Sequence, residues 1–145
     1  MEIRIKKLVP EAVVPQKAHA SDAGFDLVAV SCKVDEYGCL VYGTGLAFEI
    51  PEGYVGLVFP RSSVAKKDLI LSNCVGVIDA GYRGEVTAKF GLANRRPTAN
   101  DDMIYHAGDR IAQIVFVKLP DVQLVESEEL SDSDRGTGGY GSTGR

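Results

Sequence analysis

An all-β fold, whether sandwich, barrel or jelly roll, is what the sequence predicts, and three observations predict it. The apolar runs are short. They are punctuated by prolines, acidic turns and an abundance of glycine, 16 residues in all. Within the runs, β-branched and aromatic residues recur at every second position, the period of a half-buried strand. Strands alternating with helical stretches, the mark of an α/β fold, are missing. A length of 145 residues fits one domain with a sizeable core.

Taken in order, Met1-Glu2-Ile3-Arg4-Ile5-Lys6-Lys7 alternates charged and apolar residues as a first strand does, and nothing in it resembles a signal peptide. Further strands are predicted at 27–30, 40–42, 46–50, 55–59 and 111–119. Gly24 suggests an unusual backbone angle, and Asp26 enters a strand. The single helix candidate spans 63–69, where Ala65, Lys66 and Lys67 favour a helix. It is too short for more than one or two turns. Residues 91–109 are irregular, with Arg95 and Arg96 read as solvated surface. After Pro120 the pattern dissolves. Glu126, Glu128, Glu129, Asp132 and Asp134, interspersed with serines, form an acidic flexible linker. The expected organisation is a β domain over 1–125 and a linker with a glycine-rich arm over 126–145.

Composition removes several function classes. A formal charge of −4 argues against non-specific nucleic-acid binding, which needs a basic face. No apolar run approaches membrane-spanning length. Cys32, Cys39 and Cys74 are odd in number and lack Cys-x-x-Cys spacing, which fits a reduced cytoplasmic protein better than a disulfide scaffold. His19 and His106 are far apart in sequence, which argues against a zinc site built from protein ligands.

Four stretches carry chemistry. The chain is organised around residues 73–85, read as a β-hairpin with a working tip. Val75, Val77 and Ile78 suit a strand. Asp79-Ala80-Gly81 is turn chemistry. Val86, Ala88 and Phe90 alternate with polar residues as a return strand. Such a hairpin gathers an amide (Asn73), a carboxylate (Asp79), an aromatic hydroxyl (Tyr82) and a guanidinium (Arg83), a set able to read a planar polar ligand and activate a water. Taken alone, Asp79 reads more simply as a residue that shapes a turn, since Asp-x-Gly turns are common. In Phe59-Pro60-Arg61-Ser62-Ser63 a strand ends and two hydroxyls follow at a helix start. Free N–H groups, hydroxyls and Arg61 make an anion pocket, unless Ser62 or Ser63 is simply an N-cap. Arg110 and Gln113 interrupt the most apolar strand, and a buried amide must find partners.

The tail contains Gly136-x-Gly138-x-x-Gly141, formally a dinucleotide fingerprint. It is rejected, because no strand precedes it and no helix follows. Its exposed N–H groups, hydroxyls and arginines still suit phosphate, and Tyr140 offers a stacking face. By composition the same tail also reads as disordered.

In this order, Ala-Ser-Asp-Ala-Gly-Phe-Asp-Leu (20–27), Pro-Arg-Ser-Ser (60–63), Asn-x-x-Gly-Val-Ile-Asp-x-x-Tyr-Arg-Gly-Glu (73–85), Gly-Asp-Arg-Ile-Ala-Gln-Ile-Val (108–115) and Arg-Gly-x-Gly-Gly-Tyr-Gly-Ser-Thr-Gly (135–144) resemble the five motifs of the trimeric deoxyuridine triphosphatase (dUTPase) family. They span the chain nearly end to end. The resemblance implies a dUTPase-like β-clip, a distorted jelly roll, with a flexible C-terminal arm. It also implies a homotrimer whose active sites are shared between subunits.

The implied reaction is Mg²⁺-assisted hydrolysis of dUTP to dUMP and pyrophosphate, which keeps uracil out of DNA and supplies dUMP for thymidylate synthesis. By resemblance Asp79 orients and deprotonates the attacking water. Asn73 and the hairpin at Gly76 and Ile78 read uracil, and Tyr82 packs under the deoxyribose. The phosphates fall to Arg61, Ser62, Ser63, Gln113, Arg135, Ser142 and Thr143, with Tyr140 on the base and Gly141 also binding substrate. Asp26 touches the Mg²⁺ only through water, because that ion favours substrate phosphates and water over an all-protein cage. Three departures stand out. Tyr140 replaces the usual phenylalanine, Ser63 a frequent glycine, and 91–107 looks longer than typical.

Two alternatives are weighed. The related dCTP deaminases carry a catalytic glutamate five residues after the glycine matching Gly84, where this chain has Lys89. A non-catalytic nucleotide-binding protein on the same fold would lack Asp79 or the tail arginine, and both are present.

Overall fold

The computed structural model describes residues 1–93 and 101–139. Strands dominate it, and every pairing between strands is antiparallel. The strands are β1 (Arg4–Lys7), β2 (Phe25–Val28), β3 (Ser31–Val34), β4 (Leu40–Gly43), β5 (Leu46–Glu49), β6 (Tyr54–Pro60), β7 (Leu69–Leu71), β8 (Gly76–Ile78), β9 (Thr87–Leu92) and β10 (Arg110–Lys118). One four-stranded sheet runs β2-β10-β6-β8, a second runs β3-β4-β9-β7, and β1 pairs with β5. The all-β expectation holds, and the distorted jelly-roll type of fold is consistent with this layout. Among the described residues no helix is long and apolar enough to cross a membrane.

The core lies between the sheets. Leu27, Tyr42, Leu46, Phe90, Ile111 and Ile114 are fully buried. Tyr42, Phe90 and Tyr105 meet edge to face, with centroids 5.8 to 6.1 Å apart, an arrangement that favours ring pairs beyond area burial. The Tyr42 hydroxyl donates to the Tyr105 carbonyl at 2.9 Å and accepts from the Tyr105 N–H at 3.2 Å. Burial pushes the Tyr42 phenol above its ordinary value.

Three expectations are corrected. The helix at 63–69 is a single 3-10 turn, Ser62–Lys66, and Lys67 is already extended. Leu69 and Leu71 are buried on alternate positions and pair with β9, so sheet pairing claims the end of the expected helix, while Ala65 and Lys66 stay helical. The predicted hairpin does not close on itself. β8 pairs with β6 and β9 pairs with β4 and β7, so 79–86 crosses from one sheet to the other. Gly24 has no left-handed angle. It is glycine because a Cβ there would stand 2.5 Å from the Gln113 side-chain oxygen.

β3 and β7 were not foreseen. All four residues of β3 are exposed, so no apolar period marks it. β10 bulges between Arg110 and Ala112, which lets the neighbours Ile111 and Ala112 both be buried. Asn94, Arg95, Arg96, Pro97 and Asn100 of the irregular piece lie outside the described residues. Its described end is tied down by the Lys67 ammonium, which donates to the carbonyls of Asp102 (2.9 Å) and Ile104 (3.0 Å). From 119 to 139 the described residues form no strand and are nearly all exposed, with Leu124 and Leu130 about nine-tenths open to solvent.

Candidate active site

Two groups of polar residues stand out, and β6 connects them. The first gathers where β2, β6 and β10 end. Asp26 faces Gln113 across the β2–β10 ladder. Its carboxylate accepts from Arg61 Nε at 2.8 Å through one oxygen and from Arg110 Nη1 at 3.1 Å through the other. The Arg61 guanidinium also donates to the Ser63 hydroxyl at 3.3 Å, and the Gln113 amide donates to the Pro60 carbonyl at 3.2 Å. Asp26, Arg61, Ser62, Gln113 and the 22–24 loop line a cavity of about 300 Å³. Charge-assisted bonds on both carboxylate oxygens hold Arg61 at its edge and Arg110 on the other side of Asp26. Such a set presents donors to an anion.

Arg61 is itself the residue that opens the 3-10 turn, with no side chain capping it. Ser62 and Ser63 are therefore not N-caps, and their hydroxyls are not consumed in holding the turn's first N–H groups.

The second group surrounds β8. Tyr82 N–H donates to the Asp79 carbonyl at 3.0 Å, which closes a tight turn. Arg83 Nη1 donates to the carbonyls of Ala80 (2.6 Å) and Tyr82 (3.0 Å), so this guanidinium braces the turn. The Asp79 and Tyr82 side chains are left exposed. Asn73 stands at the other end of β8 from Asp79. The structure thus gathers Asp79, Tyr82 and Arg83 on one turn, with Asn73 preceding β8 and Asp79 following it. Gly76 is buried, and the Asn73 amide lies over it, 3.6 Å from where a Cβ would be. The turn is bordered by a cavity of about 600 Å³ that Arg83, Glu49 and Arg4 also line.

Within one chain the two groups do not meet. Ile78 is level with Gly56 and Gly76 with Val58, so Asp79 lies toward the Tyr54 end of β6. Arg61 follows Pro60 at the opposite end. About six residues at roughly 3.3 Å each separate them, on the order of 20 Å.

Of the tail residues, Arg135 is exposed, and its Nε donates to the Gly138 carbonyl at 3.0 Å, which closes a turn. Tyr140, Gly141, Ser142 and Thr143 lie outside the described residues. Lys89, the position that separates the deaminases, sits on β9 in the second sheet, where its ammonium pairs with Asp35 and lies over the Tyr37 ring. That hydrogen bond holds the Asp35 carboxyl below its ordinary value and raises Lys89. Two residues outside the predicted set support these groups. Arg110 shares Asp26, and its sequence signals were its place in the 108–115 motif and a charge opening an apolar strand. Glu85 accepts from the Gly45 N–H at 2.7 Å and anchors the crossing segment. A lone carboxylate between a glycine and a buried valine was the signal for it.

The dUTPase family model matches residues 10–144. Among curated relatives, a deoxyuridine 5'-triphosphate nucleotidohydrolase of Rhodococcus erythropolis is 47% identical, covering 99% of this chain and 87% of the relative. One from Corynebacterium glutamicum is 45% identical, covering 99% and 95%. Among solved structures, the Staphylococcus bacteriophage 80alpha dUTPase with dUPNHPP superposes with a TM-score of 0.82 at 31% identity, covering 99% of each chain.

Proposed function

The chain belongs to the dUTPase family, and from that premise we propose that it hydrolyses dUTP to dUMP and pyrophosphate. The observation that carries the reading is the exposed turn holding Asp79 beside Tyr82, together with an anion pocket built on Asp26, Arg61 and Gln113. In the proposed step Asp79 takes a proton from a water while the water oxygen bonds to the α-phosphorus. The bond from that phosphorus to the α,β-bridging oxygen breaks, and the electron pair leaves with pyrophosphate. The protein's task in such a reaction is mainly positioning and charge stabilisation.

Asn73, with the β8 backbone at Gly76 and Ile78, reads the uracil edge. Tyr82 lies under the deoxyribose. Arg61, Ser62, Ser63 and Gln113 hold phosphate oxygens, and Arg135, Tyr140, Gly141, Ser142 and Thr143 close over the nucleotide. Residues 1–125 form the body, and 126–145 the tether and arm. The product dUMP is a thymidylate precursor, and removal of dUTP keeps uracil out of DNA. The free cysteines are at home in the cytoplasm.

The homotrimer with shared sites is what the family resemblance implies, and the separation on β6 supports the sharing. A triphosphate is too short to be gripped by Arg61 and attacked beside Asp79 of the same chain. In this reading the two groups come from neighbouring subunits of a closed ring.

Among the described residues no group of three or more acidic, histidine or cysteine side chains could hold a metal, and both Asp26 oxygens already accept from arginines. Those residues fit a Mg²⁺ carried on the substrate phosphates, with Asp26 reaching it through water. When bound, the ion neutralises phosphate charge.

Pyrophosphate release with Mg²⁺, compared across dUTP, dCTP, dTTP and UTP with ammonia followed in parallel, tests the reading. Release from dUTP alone, without ammonia, is expected. Ammonia from dCTP would move the chain to deaminase chemistry, and tight dUTP binding without product would make it a binding protein.

A further inference from the structure

Tyr82 is exposed, on a segment that crosses between two sheets and belongs to neither, yet its ring is pinned at two points. Its hydroxyl donates to the Glu85 carbonyl at 3.0 Å. Its ring folds back over Gly84 so closely that a Cβ there would stand 2.6 Å from Cζ. The anchor at Glu85 is in turn fixed to the body. Its carboxylate accepts from the Gly45 N–H at 2.7 Å and packs against Gly43, where a Cβ would come within 2.7 Å of Oε1. The next residue is held on both sides: Val86 N–H donates to the Leu46 carbonyl at 2.9 Å, and Thr44 Oγ1 donates to the Val86 carbonyl at 2.6 Å.

We propose that Gly84 and Glu85 are positioning residues that set the sugar discrimination of this enzyme, by holding the Tyr82 ring against retreat. The inference rests on the dUTPase reading and deepens it. A ring that merely covered the sugar could tilt away to admit a 2′-hydroxyl. A ring tied through its hydroxyl to Glu85, and through Glu85 to the 43–45 turn, has no such freedom, and it enters the reaction without a cost of ordering. Neither residue touches the nucleotide in this scheme. Gly84 supplies the space into which the ring folds, and the Glu85 side chain fixes the carbonyl that holds the hydroxyl.

The test is the ratio of kcat/KM for dUTP to that for UTP, with Tm measured on the same samples. E85A and G84A are each expected to lower the ratio by roughly tenfold or more, the scale on which one misplaced pocket contact alters selection. E85Q, which keeps an oxygen acceptor for the Gly45 N–H, restores the ratio to within about threefold of wild type on the same scale. Y82F keeps the ring over Gly84 and loses only the hydroxyl tie, so it falls between. Its hydroxyl is on the surface, and the variant therefore reports even if the other two do not fold. A wild-type ratio in Y82F, or in folded E85A and G84A, overturns the proposal while leaving the dUTPase reading intact. A wild-type protein that turns over neither nucleotide overturns that reading, and this inference with it.

Discussion

Arg61 and Asp26 form a partly buried pair, Nε to Oδ1 at 2.8 Å, with a quarter or less of either side chain open to solvent. The pair aims a guanidinium at the cavity beside it. D26N keeps the shape and removes the charge that orients Arg61 and Arg110. Hydrogen bonds to charged groups are worth roughly 1.5–3 kcal/mol, so kcat/KM for dUTP should fall by about tenfold or more while the fold survives. Steady-state kinetics with a thermal melt check this. An unchanged kcat/KM would mean that Arg61 orients without Asp26.

The separation of Arg61 and Asp79 along β6 predicts complementation. R61A and D79N proteins, each nearly inactive, should regain activity when unfolded together and refolded as mixed trimers. If each site draws Arg61 and Asp79 from different chains, random assembly from equal amounts leaves about one site in four intact. A mixture no more active than its parents would place both groups on one chain.

D79N should bind dUTP nearly as well as wild type and lose about 10²–10⁴-fold in kcat, the usual scale for a general base. Calorimetric binding beside single-turnover kinetics separates the two effects. Near-normal turnover would remove Asp79 from its role.

Removal of residues 135–145 should slow turnover sharply and leave the trimer assembled, since the described part of that segment makes only local turns. Sedimentation and pyrophosphate release on one preparation decide it. A truncated chain that failed to assemble would make the tail structural.

Tyr42 predicts a stability effect remote from the site. Y42F strands the Tyr105 N–H and carbonyl in the core, at a cost of about 1–3 kcal/mol. In the wild type the folded phenol titrates above its unfolded value of 10.0. Its contribution is therefore complete below pH 10 and is lost as pH rises beyond it toward the folded value. Denaturant melts from pH 8 to 11 should show that loss in wild type and a flatter profile in Y42F.

Much of this was legible in the chain itself. Short apolar runs in β4, β5, β6 and β10 are local signals of an all-β fold, and the expectations for them hold to within a residue or two. The turn drew attention to Asp79 and the strand end to Arg61, but their roles came only from the family resemblance. β3 was not legible because its residues are exposed, and β7 because Ala65, Lys66 and Lys67 announce a helix that sheet pairing stops. Gly24 was noticed for the wrong reason. Its smallness serves a side chain 89 residues away, which only the packed β2–β10 ladder reveals.

The sequence by itself determined the fold class and the order of the motifs, and through them the family, because these depend on residue type and near-neighbour spacing. Only the tertiary structure decided which strands pair. It sent β8 and β9 to different sheets, put Asp79 and Arg61 at opposite ends of β6, and tied Tyr82 through Glu85 to the 43–45 turn. Those outcomes turn on contacts between residues far apart in the chain, which form only when the strands bury a common core, and no local pattern encodes them.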